Sequence, residues 1–215
     1  MPELFQITLL SLQISGLATS ISLLLGLPLG TLLALGKFPG RSLLLSLVNT
    51  GMGLPPVVVG LFVAIMLWRS GPFGDLKLIY TPAAIIIAQV VISFPVVAGL
   101  TTSTLQALDP RLQLQLRGLG ASTPQMVWML WREARMPLLA ALMAGFGSVI
   151  SEVGASMMVG GNIRYQTRVL TTAIVLETGK GNFELALGLG GLLLAITFLV
   201  NWALTVIQQR SARKG

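Results

Sequence analysis

The chain has 215 residues, 54% hydrophobic and 10% charged, with a formal net charge of +7 and neither cysteine nor histidine. A mean hydropathy of +0.85 and several apolar runs longer than the ~20 residues that cross a hydrocarbon core exclude a soluble globular domain. An all-α, polytopic membrane protein remains, without a disulfide framework or Cys-ligated metal and without the commonest proton-transfer side chain and metal ligand.

The first span falls within residues 7–35, and Gly26, Pro28 and Gly30 in its last third predict a kink or an early end. A basic turn at Lys37–Arg41 leads to a second span, 43–68, interrupted by Gly51, Gly53, Pro55 and Pro56. The double proline frees backbone carbonyls that need partners in protein or in a water-filled cavity. It reads either as a packing kink or as an irregular point lining a path. The third span is 82–105, with Pro95 near its middle. The fourth is 138–159 and carries Glu152, and the fifth is 185–207. Between the last two, the apolar piece Val169–Leu176 is too short to cross, so it is interfacial or re-entrant. The N-terminus lacks the basic segment of a cleavable signal peptide, and the first run reads as a retained helix.

Five spans put the termini on opposite sides. Lys37, Arg41, Arg111, Arg117, Arg132, Arg135, Arg210, Arg213 and Lys214 fall on one side. Arg69, Lys77, Arg164, Arg168 and Lys180 fall on the other. The positive-inside rule then places the N-terminus outside and the C-terminus in the cytoplasm. The basic residues serve topology, and no nucleic-acid partner is expected.

The cytoplasmic loop 106–137 is too long and too apolar for a connector. Met126, Val127, Leu130 and Trp131 recur at helical spacing, with Ser122 or Thr123 to cap the helix and Pro124 suited to its first turn. An apolar face on such a loop either fits a partner protein or lies flat in the lipid interface. No catalytic residue is expected, because a His-dependent dyad or triad cannot be built and the seven acids are scattered along the chain. Glu152 is the one acid inside an apolar run, among Ser151, Gly154 and Ser156. A carboxylate there must face protein or water. It either pairs with a neighbouring backbone group or arginine and locks the bundle, or belongs to the gate of a translocation route. Arg164 and Arg168 either draw anions by their local field, bridge to a partner, or are simply solvated.

The stretch DPRLQLQLRGLGAS, a short helix, and then Arg132-Glu133-Ala134-Arg135-Met136-Pro137 resembles the cytoplasmic coupling loop of type I ABC importer permeases. Gly120 matches that family's loop glycine. Leu114, Gln115 and Leu116 stand where Glu-Ala-Ala is expected, and Pro137 lies farther on than usual. Phe146–Ile163 and the following TRVLTTAIVLETGKGNFELALGLG are similar to the tungstate and molybdate branch, with REAR and MMVGGN pointing to the tungstate type.

The resemblance implies a homodimer, two cytoplasmic ATPase subunits that bind ATP and Mg, and an extracytoplasmic oxyanion-binding protein. No cofactor is implied for this chain. The resemblance also assigns ATPase coupling to Arg117, Gly118, Leu119, Gly120, Ala121, Ser122, Met126 and Met129. The pathway or gate falls to Ser151, Glu152, Gly154, Ser156 and Asn162. Two rivals are an ATP-independent anion channel or secondary transporter and a structural subunit of a membrane complex.

Overall fold

A computed structural model describes residues 2–212, which form ten α-helices. Arg213 and Lys214, two of the charges counted toward the cytoplasmic side, lie outside the described residues. α1 (Pro2–Leu35), α4 (Pro82–Gln106) and α10 (Phe183–Ala212) are each long and apolar enough to cross a membrane. α1 and α4 pack along each other at the centre of the bundle. The early end considered at Gly26–Gly30 does not occur, since α1 runs unbroken through Pro28. The glycines serve the packing instead. A Cβ at Gly30 would stand 2.6 Å from the Ala98 carbonyl oxygen and from Thr101 Cβ, so α4 approaches the α1 backbone where no side chain intervenes.

The second apolar run is two helices, α2 (Arg41–Met52) and α3 (Pro56–Leu67), inclined at 106°. Pro55 and Pro56 donate no backbone hydrogen bond, which forces the break. Pro55 still accepts from the Val58 and Val59 N–H groups. α2 starts where Arg41 Nε donates to the Leu33 carbonyl at 2.8 Å. α3 ends where the Trp68 ring meets Tyr80 edge-on at 6.1 Å. The pair therefore passes from one end of α1 and α4 to the other.

The expected loop at 106–137 contains two helices. α5 (Pro110–Gly118) is capped by Asp109, which accepts the Arg111 N–H at 2.8 Å. α6 (Thr123–Glu133) follows a turn in which Gly120 takes φ +79°, a conformation that suits glycine. The chain then turns by 75° into α7 (Arg135–Ile150).

The run 138–159, expected as one span, is interrupted at Ser151–Val153, and α8 (Gly154–Gly160) completes it. α8 ends beside Tyr80, whose N–H donates to the Val159 carbonyl at 2.8 Å. α9 (Leu170–Gly179) starts with its Leu170 N–H on Ser11 Oγ, at 2.8 Å, within the third turn of α1. Its far end carries Glu177 and Lys180, which face a cavity shared with Glu3. α9 thus begins deeper along α1 than it ends. α10 runs back to the other end, where Gln208 Nε2 donates to the Met136 carbonyl at 3.1 Å.

Candidate coupling and gate sites

At one end of the bundle, α6 lies across the helix ends and is tied to them. Ser122 starts it, its N–H donating to Gln125 Oε1 at 2.8 Å. This is half of the reciprocal arrangement that fixes many helix N-termini. The apolar stripe read from the sequence as a docking face turns inward. Met126 and Leu130 are buried against Leu105, Leu116 and Ala134, with Trp131 packed beside them. Trp131 Nε1 also donates to Thr31 Oγ1 of α1 at 2.9 Å.

Met126, assigned to ATPase coupling, is thus 3% exposed and holds α6 to its own bundle. The exposed apolar surface is Leu119 at 85%, Trp128 at 61% and Met129 at 44%. Arg117, Gly118, Gly120 and Ser122 are exposed around it, and Ala121 is half-buried. Trp128 escapes a periodicity reading because it adds nothing to the buried stripe; its exposure is its signal.

Deep in the molecule, Glu152 is buried and hydrogen-bonded to backbone. Its Oε1 accepts the Ala155 N–H at 2.7 Å, and its Oε2 accepts the Ser156 N–H and Oγ–H, each at 3.0 Å. The carboxylate serves donors that the first turn of a helix leaves without intrahelical partners. The pairing with neighbouring backbone that the sequence suggests for Glu152 is present in these contacts.

Gly154 is fixed by packing, since a Cβ there would stand 2.5 Å from Val57 Cγ2 of α3. Ser156 is buried, whereas Ser151 is exposed and its Oγ donates to the Gly147 carbonyl at 2.7 Å. The structure therefore gathers Glu152, Gly154 and Ser156 between α3 and α9. Two residues that the sequence reading passed over complete the break: Gln89 Nε2 donates to the Val149 carbonyl at 3.2 Å, and Thr171 Oγ1 to the Glu152 carbonyl at 2.8 Å.

Asn162 lies apart from this group, beyond the end of α8, at φ +50°. Its Nδ2 donates to the Thr172 carbonyl at 3.3 Å, and its Oδ1 accepts from Arg168 Nε at 3.3 Å. Arg164 and Arg168, read as solvated, anion-drawing or partner-bridging charges, both pair with Glu3 of α1. Arg164 Nε donates to Glu3 Oε1 at 2.9 Å, and Arg168 Nη1 lies 3.3 Å from the same oxygen. Nearby, the hydrogen bond from the Lys180 ammonium holds the Glu177 carboxyl below the usual carboxylate range.

The chain matches the family model described as binding-protein-dependent transport system inner membrane component over residues 26–213. It is 40% identical to a probable anion ABC transporter permease protein of Haloferax volcanii, covering 92% of this chain and 88% of that one. It is 38% identical to the tungstate uptake system permease protein TupB of Peptoclostridium acidaminophilum, covering 97% and 91%. Among solved structures, a chain of the inward-facing MetNI methionine ABC transporter superposes with a TM-score of 0.80 at 20% identity, covering 98% of this chain and 97% of that one, which is a likeness of fold. With its loop-borne helix anchored across the bundle and its fourth apolar run broken around a buried carboxylate, this chain belongs to the binding-protein-dependent inner membrane components, the permease subunits of ABC importers.

Proposed function

We propose that this chain moves tungstate, or the chemically similar molybdate, into the cell as one half of a homodimeric permease. Two ATPase subunits bind ATP and Mg and supply the work, and an extracytoplasmic binding protein delivers the oxyanion. This chain carries no cofactor of its own. It crosses the membrane five times (α1, α2–α3, α4, α7–α8 and α10), with the N-terminus outside and the C-terminus in the cytoplasm. Similarity to anion and tungstate permeases along nearly the whole chain supports the substrate class.

One observation carries the mechanism: α6 and the turn before it present Trp128, Met129 and Leu119 outward while Met126, Leu130 and Trp131 bind α6 to α1, α4 and α7. A force applied to the outer residues reaches the crossing helices through close-packed contacts, because packed interiors transmit strain. Closure of the ATPase dimer displaces both copies of α6, the crossing helices rock, and access to the oxyanion path alternates. Residues 117–122, the end of α5 and the turn into α6, present the coupling surface. Ser151, Glu152, Gly154 and Ser156 form and brace the gate, and Asn162 fixes the outer turn beyond α8. Glu152 is a brace and not an oxyanion ligand, since its charge repels an anion and its oxygens are already occupied by Ala155 and Ser156.

The test is uptake of labelled tungstate into proteoliposomes holding permease, ATPase subunit and binding protein. Trp128→Glu is expected to leave the permease folded but to lower ATP-driven uptake at least tenfold, the effect of losing ~1.4 kcal/mol at one central anchor. Uptake at the unsubstituted rate, or uptake that persists without ATP, refutes the coupling role.

A further inference from the structure

Two interhelical hydrogen bonds meet on the break between α7 and α8, and neither belongs to the coupling surface. A carbonyl at a helix end has lost its intrahelical donor, and inside a membrane protein it must find another within the protein. At the end of α7, the Val149 carbonyl receives Gln89 Nε2 from α4 and the Glu152 N–H, both at 3.2 Å. In the break itself, the Glu152 carbonyl receives Thr171 Oγ1 from α9 at 2.8 Å. Gln89, Val149, Glu152 and Thr171 are all buried. The break is therefore bonded from α4 and from α9, while the Glu152 carboxylate binds the N–H groups of α8.

Gln89 carries a further sign of its role. Its Oε1 is buried with no hydrogen-bond partner among the described residues. An unpaired buried acceptor destabilises the arrangement that contains it relative to one in which it is bonded. That imbalance is what a two-state element requires if a distant input is to shift it. We infer that Gln89 and Thr171 are positioning residues that set the angle between α7 and α8 and thereby the resting state of the gate. The inference rests on the permease reading above and extends it to two residues that touch neither substrate nor ATPase.

The absence of cysteine makes a single reporter possible. Met158→Cys places a thiol on the exposed side of α8, and its labelling by a water-soluble maleimide is followed in the complete reconstituted transporter, without nucleotide and with ATP and vanadate. In the Met158→Cys parent the two rates differ. In Thr171→Val and Gln89→Leu, the nucleotide-free rate moves about fivefold toward the trapped one, the population shift supported by one net hydrogen bond. ATP hydrolysis without binding protein rises by a similar factor, and Thr171→Ser returns both readouts to the parent values.

Parent-like nucleotide-free labelling in Thr171→Val and Gln89→Leu overturns the inference, as does a Thr171→Ser protein that behaves like Thr171→Val. If Gln89→Leu does not assemble, the Thr171 pair decides alone. A parent transporter with no ATP-driven uptake overturns the permease reading instead, and the hinge is then judged by the nucleotide-free labelling rates.

Discussion

The glycines of α1 show how differently one residue type is used along one helix. A Cβ at Gly30 would sit 2.6 Å from the Ala98 carbonyl and from Thr101, whereas a Cβ at Gly16 would meet nothing within 4 Å. Gly30→Ala therefore forces α1 and α4 apart, and overpacking of this kind costs about 1–3 kcal/mol. Gly16→Ala instead gains the helix preference of alanine, roughly 0.5–1 kcal/mol. Thermal unfolding in detergent is expected to fall for the first and to hold or rise for the second; equal behaviour would mean that the α1–α4 approach is not the tight contact described. The sequence showed Gly30, with Gly26 and Pro28, in the last third of an apolar run, where they suggested a kink or an early end. Only the partner backbone distinguishes a bend from a contact, and that partner is nearly 70 residues away in the chain. Glu152 was legible as a buried carboxylate needing partners. Its pairing with α8 was one of two open readings, since the choice depends on where the helix restarts.

At the scale of elements, the sequence foretold α6 well and α5 not at all. Ser122, Pro124 and the Met126–Leu130 spacing define the start and face of α6 locally, so helix, cap and period all appear as expected. The direction of that face is not local. An amphipathic helix buries its apolar stripe against whatever lies nearest, and here that is the helix's own bundle. The assignment of Met126 to the docking surface gives way accordingly.

Met126 is enclosed by Leu105, Leu116 and Leu130, so an unpaired carboxylate there is strongly disfavoured. Even Met126→Ala should cost roughly 2–5 kcal/mol. Met129→Glu, on the exposed side, is expected to retain the folded yield and thermal stability while losing ATP-driven uptake. Measuring yield, stability and uptake for both positions separates the packing role from the docking role, and a reversed pattern would reverse the assigned faces.

At the scale of the whole molecule, three of the expected crossings are single helices, α1, α4 and α10, while the second and fourth apolar runs are each divided between two helices. Apolar length fixes how often the chain can cross, but it does not register a 106° turn between α2 and α3 or a restart at Gly154. The structure does settle which segments share an end. Arg41 reaches the end of α1, Trp131 of α6 meets Thr31, and Gln208 meets Met136. At the opposite end Glu3 meets Arg164 and Arg168.

We propose that the excess of lysine and arginine on the first end orients the whole bundle with that end in the cytoplasm, because cytoplasmic loops retain positive charge. The cysteine-free background again provides the measurement. Leu119→Cys and Tyr165→Cys each place a thiol at an exposed position, one at each end. In intact cells freed of any outer barrier, a membrane-impermeant maleimide should label Tyr165→Cys at once and Leu119→Cys only after the membrane is opened. Both thiols sit outside the crossing segments, so slow reaction from burial in lipid does not confuse the two. The opposite labelling order would invert the topology, put α6 on the side without ATP, and remove the route by which an ATPase could act on the gate.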